Sequence, residues 1–529
     1  MRRLVLVSIA LVCCAPAHAA ALRAYPRTLV ELGGNLSGGD EFALHAVGGR
    51  LIDPQLSLWR LPSAAAVRLL PALRAEGVVR SVTPDVPLQP AQTSRALSLC
   101  GDPLCSAEWW WTVVGADRWT PPGPGVPVTM IDSGVDLSHQ EFAARPETTA
   151  LNAQSVSPAF EDELHGTATA SVAGAPANGV GLVGIYPQAR LQVWDASPLG
   201  VLTVGDEIAG LAAATKRGPS VINLSLGGPN RLAIEEHAIL AAFGDGSLIV
   251  ASAGNSRAEG SPLSYPASFA HVLTVGATQE TNRVTDFSSA SSHMDLAAPG
   301  QDMPVAIPQA FVPSGSPYAV FDGTSFSAPL VSGAAAAVWT LRPSLTNGQL
   351  FEVMRRSAHR SGKSGWNRNT GYGILDVAAA AARPAPAPDP QEPNEDVYLV
   401  KPGGLFRAGH PALTAPGRPN ATLAARVDRA DDPADVYRAY LPAKGRLTVS
   451  VRMNANVNLA VWGRRTRTVF ERGAAAKRDL LGSSTHARAR PERLVVHGRG
   501  LGQYVYLDVF LGKTTRQAGY RLSVATARR

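Results

Sequence analysis

Cysteine is scarce in this chain, with four among 529 residues, and Cys13 and Cys14 fall in the N-terminal leader. Only Cys100 and Cys105 remain for the folded protein. Two thiols without nearby partners cannot complete a tetrahedral shell, which argues against a cysteine-based metal site. In an exported chain, the short Gly101-Asp102-Pro103-Leu104 spacer favours a local Cys100–Cys105 disulfide that pins a segment rather than holding the fold together. Long apolar runs are also missing beyond the leader. None reaches the roughly eighteen residues needed to span a bilayer, so the mature protein is expected to be soluble. Charge is sparse at 17% of residues while 45% are hydrophobic, which fits a globular protein of several domains. No motif for nucleic acid is present beyond local positive charge.

Residues 1–19 have the composition of a secretory signal. Arg2 and Arg3 supply the basic start, Leu4 to Cys14 the apolar core, and Ala17-His18-Ala19 the small-residue cleavage site. Cleavage after Ala19 and secretion are expected. An uncleaved anchor is disfavoured by the shortness of the run. A lipoprotein signal is disfavoured because the residues before Cys13 and Cys14 are not the usual small ones.

Residues 20–95 read as a separate small α+β unit. Gln55 to Leu61 has strand character after the Asp53-Pro54 turn. Ser63 is placed to cap a helix through Leu69, Leu70 and Leu73, which Pro71 should kink. Val78 to Val82 returns as a strand, and Pro84 to Pro90 is extended. Such a module between a leader and a larger domain is either a folding assistant or an ordinary N-terminal domain.

Four later segments each place a reactive side chain at the end of an element. Val126 to Ile131 is a largely apolar run that ends in Asp132-Ser133-Gly134, and Pro127 is tolerable only near its start. Asp136, just beyond, reads as a turn or cap residue. His165-Gly166-Thr167 opens a run of small residues suited to a closely packed helix. Val221 to Gly228 and Leu248 to Asn255 are two further buried strands, and the glycines closing the first leave backbone open to an extended peptide. Phe321-Asp322-Gly323-Thr324-Ser325 is a glycine turn that delivers Ser325 to the start of an alanine-rich helix, with Pro329 in its first turn. Together, Asp132, His165, Asn255 and Ser325 have a direct use. The histidine takes the serine proton, the aspartate fixes the imidazole, and Asn255 with the Ser325 N–H holds an oxyanion.

With those residues in that order, residues 100–380 resemble a subtilisin-like serine protease. The matching motifs are Asp132-Ser133-Gly134, His165-Gly166-Thr167, Ser252-Ala253-Gly254-Asn255 and Gly323-Thr324-Ser325-Phe326-Ser327-Ala328-Pro329. Tyr265-Pro266-Ala267, Val275-Gly276-Ala277 and Ala297-Ala298-Pro299-Gly300 also match. The resemblance implies a three-layer α/β catalytic domain with a mostly parallel sheet, over residues 100–382. It implies a serine endopeptidase acting on polypeptides, made as a zymogen, whose chemistry needs no cofactor. Ser225, Leu226 and Gly227 would pair with substrate backbone, and Ser327 would be a supporting residue. Residues 20–95 become the inhibitory propeptide, an intramolecular partner whose extended tail occupies the cleft and is cut between Gln89 and Leu99. Glu141 and Asn178 match positions at which such enzymes often place ligands for a structural calcium. Here Glu stands where Asp is more usual, so a solvated Glu and a turn Asn are an equal reading.

Residues 383–391 form a stiff Pro/Ala linker. Beyond it, over residues 392–529, hydrophobic spacing switches to period two at Leu447, Val449, Val451 and Met453, at Val457, Leu459 and Val461, and at Val505, Leu507, Val509 and Leu511. A small β-sandwich is expected there, and Glu392-Pro393-Asn394-Glu395-Asp396 with Asp435-Val436-Tyr437 resembles the pre-peptidase C-terminal domain of secreted proteases. This segment holds 24 Lys and Arg against 11 Asp and Glu, whereas residues 100–382 hold 14 against 24. The basic module would either bind an anionic surface polymer or present a solvated face. The protein is expected to act as a monomer.

Overall fold

The computed structural model describes residues 26–528 apart from 34–35, 37, 86–88, 91–92, 96–103, 144, 146, 153–160, 313–314 and 361–364. The expected leader and Cys100 lie outside the described residues, and the expected Cys100–Cys105 disulfide lies outside them too. The chain divides into two compact units. One contains residues 1–267, 273–343 and 354–382; the other contains 268–272, 344–353 and 383–529.

The first unit begins with four strands, β1 (Arg27–Leu32), β2 (Arg50–Asp53), β3 (Leu58–Pro62) and β4 (Val79–Pro84), in the order β2-β3-β1-β4. Two helices, α1 (Gly38–Ala46) and α2 (Ser63–Ala75), accompany them. Leu29, Val30, Leu44, Trp59, Leu61 and Ala66 are buried. Two sequence expectations are corrected here. The strand starts later than Gln55, because the Asp53 carboxylate accepts the N–H groups of Gln55 at 2.8 Å and Leu56 at 3.1 Å and holds a turn. Ser63 is not the helix cap. Pro62 occupies that position, and the Ser63 hydroxyl bonds instead to Thr28 Oγ1 at 2.7 Å. As expected, helix α2 runs through Pro71 to Ala75, and burial of Leu70 and Leu73 on either side outweighs one lost backbone bond.

A seven-stranded parallel sheet follows. Its strands are β5 (Val128–Asp132), β6 (Thr148–Ala150), β7 (Leu191–Asp195), β8 (Val221–Leu224), β9 (Leu248–Ser252), β10 (Val272–Thr278) and β11 (Met294–Pro299), ordered β11-β10-β9-β8-β5-β7-β6. The central strands are apolar and buried throughout, as parallel sheets covered on both faces require. Helix α3 (His165–Gly174) packs on the long helix α6 (Thr324–Leu341), and α4 (Val204–Thr215) packs on α5 (Ala233–Gly244). Small residues make the first contact possible, since a Cβ on Gly333 would come within 2.6 Å of the Ala173 carbonyl oxygen in α3. Strands β2 and β4 of the N-terminal module lie against α4 and α5 respectively.

That helix pair hides two carboxylates. Glu207 in the first turn of α4 and Glu235 in the first turn of α5 are buried; both oxygens of Glu207, and Oε1 of Glu235, lack a hydrogen-bond partner. Burial pushes Glu207 up from 4.5 to about 8, and burial followed by repulsion from Glu207 raises Glu235. The folded state therefore binds protons that the unfolded state has already released. Stability contributed by the pair is present below the ordinary glutamate range and falls as pH rises toward 8. In a Ser325→Ala background, Glu207→Gln should remove much of that decline, a difference on the order of 2–4 kcal/mol between pH 5 and 8. Parallel melting curves that stay equally spaced across that range would refute it.

In the second unit, β12 (Asn420–Asp428), β13 (Ala434–Leu441), β14 (Arg446–Met453), β15 (Val457–Trp462), β16 (Leu480–Ser484), β17 (Glu492–His497), β18 (Gln503–Leu511) and β19 (Gln517–Ala527) form two antiparallel sheets. Their orders are β12-β19-β14-β17 and β13-β18-β15-β16. Leu447, Val449 and Val451 from one sheet share a core with Val457, Leu459, Val505 and Leu507 from the other. The period-two expectation thus holds strand by strand.

Candidate active site

Asp132 closes β5, and three groups hold its carboxylate. The Ser133 N–H donates to Oδ1 at 2.8 Å, and the Thr169 hydroxyl donates to Oδ2 at 3.1 Å. His165 Nδ1 lies 2.7 Å from Oδ1. Because a carboxylate only accepts, this contact puts the imidazole hydrogen on Nδ1 and leaves Nε2 with a lone pair. Nε2 is buried and has no hydrogen-bond partner. The two elements are locked where they meet. The Gly166 N–H donates to Ser133 Oγ at 3.0 Å, and a Cβ on Gly166 would sit 2.0 Å from the Gly134 carbonyl oxygen. Any side chain at position 166 would push the histidine helix away from the aspartate.

Ser325 is the second residue of α6, where backbone N–H groups have no intrahelical partner. Helix α6 begins at Thr324, so Pro329 lies in its second turn rather than its first, correcting the sequence expectation. The missing proline N–H has a structural consequence. The Ser325 carbonyl, denied its intrahelical bond from position 329, accepts the Ser225 hydroxyl at 2.8 Å. Ser225 Oγ in turn accepts from Asn223 Nδ2 at 2.9 Å, and Ser332 donates to Asn223 Oδ1 at 3.0 Å. Ser225 thus spends its hydroxyl on supporting the backbone of Ser325. Ser327 does the same for the far side of the turn, donating to the carbonyls of Ala298 at 2.9 Å and Pro299 at 3.1 Å.

Asn255 follows β9 after Gly254, whose φ of 92° belongs to the left-handed region that favours glycine. Its Oδ1 accepts the Thr324 N–H at 3.0 Å and the Thr324 hydroxyl at 2.9 Å. This fixes the amide so that Nδ2 faces away from Thr324, and Nδ2 is buried without a hydrogen-bond partner. A donor held in place and left unspent is what a developing oxyanion requires.

The substrate-side strand has an occupant. Leu226 and Gly227 pair antiparallel with Pro90 and Gln89, and Asp322, Phe321 and Val320 pair with Thr93, Ser94 and Arg95. The tail of the N-terminal module therefore runs along both sides of the Ser325 turn. A side chain at Gly227 would meet Ser264 Oγ at 2.7 Å and the Tyr265 carbonyl at 2.8 Å, which keeps this edge bare.

Glu141 and Asn178 stand apart from these groups. Glu141 Oε1 accepts the Leu182 N–H and the Tyr318 hydroxyl, each at 2.7 Å. Asn178 Oδ1 accepts the Val180 N–H at 2.9 Å on an exposed turn. Each of these two oxygens thus meets a donor of the protein itself.

The motif-level reading did not name Thr169, Ser133, Asn223, Ser332 or Thr324 as parts of the site. Ser133 and Thr324 lie within the matching motifs, so their hydroxyls were visible but their targets were not.

A family model described as the subtilase family matches residues 123–373. Subtilisin from Bacillus pumilus is 32% identical over 264 residues, covering 49% of this chain and 92% of that protein. The chain belongs to the subtilase family. Subtilisin Savinase from Lederbergia lenta is 35% identical over 262 residues, covering 49% of this chain and 91% of the relative. Subtilisin amylosacchariticus from Bacillus subtilis subsp. amylosacchariticus is 33% identical over 264 residues, and the match spans 66% of its length. Among solved structures, fervidolysin from Fervidobacterium pennivorans shares the subtilase fold with a TM-score of 0.55. At 18% identity, that match covers 89% of this chain and 84% of fervidolysin.

Proposed function

We propose that this subtilase is a secreted serine endopeptidase made as a self-processing zymogen. The observation that carries the reading is the Asp132–His165 contact at 2.7 Å, which leaves Nε2 as an unspent base. In the proposed reaction Nε2 takes the Ser325 proton as Oγ attacks a peptide carbonyl. The Asn255 amide and the Ser325 N–H receive the oxyanion, and the protonated imidazole then passes its proton to the departing amine. Water repeats the sequence on the acyl-enzyme. No step calls for a cofactor.

Two pairings support self-processing. With residues 89–90 on one wall and 93–95 on the other, the peptide bonds between residues 90 and 93 are the ones that would cross the nucleophile. Antiparallel pairing on both sides reads this tail as the first substrate. The leader sequence supports export, and among the described residues no helix is long and apolar enough to cross a membrane. Mass spectrometry of the purified chain should find a mature N-terminus at residue 91, 92 or 93, absent from Ser325→Ala, together with labelling of Ser325 by a serine-directed reagent. A mature N-terminus elsewhere would sink the processing assignment, and an unlabelled wild-type chain would sink the enzymatic one.

A further inference from the structure

One sheet of the sandwich shows a bare basic face. In β12-β19-β14-β17 alternate residues point into the core, among them Leu447, Val449 and Val451 of β14 and Leu522 and Val524 of β19. The alternation turns Arg446, Thr448, Ser450 and Arg452 of β14 outward. Arg521 and Ser523 of β19 and Arg493 and His497 of β17 share that face. All four arginines are exposed, and among the described residues no carboxylate lies within ion-pair distance of any of them. The one acid in the outward alternation of these strands, Asp428 at the end of β12, is buried. Residues 480–529 carry nine Lys and Arg against two acids, Glu492 and Asp508. Both acids are buried, and Glu492 is taken up by the backbone N–H and the ring of His486, so neither offsets the exposed guanidinium groups.

Strand register gathers these charges instead of separating them. Arg452 lies directly opposite Arg521, and Arg493, opposite Ser450, stands one row along the sheet. Like charges directly opposite on one face weaken strand pairing, because neighbouring strands are only about 4.8 Å apart. Packing does not demand arginine at either position, since both side chains face solvent. An anion set between two such guanidinium groups relieves the repulsion, and each group presents a planar fork of donors to it. Arg446, opposite His497, stands six residues from Arg452 along β14, roughly 20 Å at about 3.4 Å per residue. Between these ends lie Thr448, Ser450, Ser523 and Thr422, whose hydroxyls both donate and accept.

We propose that this face binds a linear acidic polysaccharide, a hydroxylated chain that carries carboxylate or sulfate groups at intervals. The arginines at the two ends take the anionic groups, and the hydroxyl floor between them suits the sugar hydroxyls. Other polyanions fit less well. No Phe, Tyr or Trp occupies an outward position on these four strands, so a nucleic-acid base has no ring to stack on. Val495 is the only sizeable apolar side chain facing outward there, which leaves little to enter a lipid surface.

The test uses the full chain carrying Ser325→Ala, with immobilised polygalacturonate, dextran sulfate and neutral dextran as probes. The parent chain should bind one or both acidic polymers, more weakly as salt is raised, and should ignore neutral dextran. The tighter of the two acidic polymers identifies the anionic group as carboxylate or sulfate. Arg452→Gln combined with Arg521→Gln should weaken binding roughly tenfold. It should not lower the melting temperature, because it removes a like-charge pair. Arg464→Gln combined with Arg467→Gln removes the same charge from the exposed turn after β15, in the opposite sheet, and should leave binding within about twofold. Circular dichroism checks that both variants are folded. The proposal is overturned if the parent binds neither acidic polymer at low salt, or if the two double variants lose binding equally. It is also overturned if duplex DNA or phosphatidylserine vesicles bind as tightly as the polysaccharides.

Discussion

Ser325→Ala is expected to abolish peptide hydrolysis and leave the chain at its unprocessed length. The fall in kcat should be about 10⁶-fold, a size taken from subtilisin itself. Without Oγ there is no atom to form the acyl bond, and the unspent Nε2 of His165 has no proton to take. The substitution should leave the fold intact. The Ser225 hydroxyl bonds to the Ser325 carbonyl, which alanine retains, and the Ser325 Oγ contact with the Ser225 carbonyl is long at 3.4 Å. Melting temperature should therefore match the wild type within a degree or two, as expected for deletion of one small hydroxyl. Activity against a chromogenic peptide and the intact mass would be measured together. Residual hydrolysis near the wild-type rate, or normal processing of the purified variant, would remove Ser325 from the nucleophile's role.

Asn255→Ala carries the second large effect. Its expected cost is about 10²–10³ in kcat with KM nearly unchanged, again a size known from subtilisin itself. The physical basis is the orientation of the amide. Two bonds from Thr324 at 3.0 and 2.9 Å consume the oxygen, so Nδ2 has no duty in the ground state. A group that bonds only to developing charge lowers the barrier without tightening substrate binding. Asn255→Asp keeps the shape and places an oxygen where the donor stood, so it should be at least as damaging. A rise in KM with kcat preserved would instead assign Asn255 to substrate binding.

Much of the site was legible because its residues sit at the ends of elements, and element ends are written in local sequence. The apolar run into Asp132, the small-residue stretch after His165 and the glycine turn before Ser325 each announce a position. The C-terminal strands were legible for the same reason, since Leu447, Val449 and Val451 alternate with polar neighbours along β14. The N-terminal module was read less well. Strand β1 and helix α1 carried no signal strong enough to name, and Asp53 turned the expected start of β3 into a loop through its own side chain.

The surroundings of Glu141 show the limit more sharply. The sequence offers an acid and an amide at suggestive positions, yet Tyr318 and Leu182 arrive from distant segments to take the Glu141 oxygen. Spacing along a chain cannot reveal which donor a carboxylate will meet. The same limit hid the pairing of Arg452 with Arg521, which are ordinary surface residues until the sheet sets them side by side.

By itself the sequence determined the candidate reacting groups, their order and the parallel sheet that carries them, because hydrophobic period and turn chemistry are local properties. The tertiary structure decided how those groups are aimed. It directed the Ser225 hydroxyl at the Ser325 carbonyl that Pro329 leaves open, turned the Asn255 amide by way of Thr324, and laid residues 89–90 along one wall of the cleft and 93–95 along the other. Each of these depends on a hydrogen bond between segments far apart in the chain, and such bonds form only after packing has fixed the distance between them.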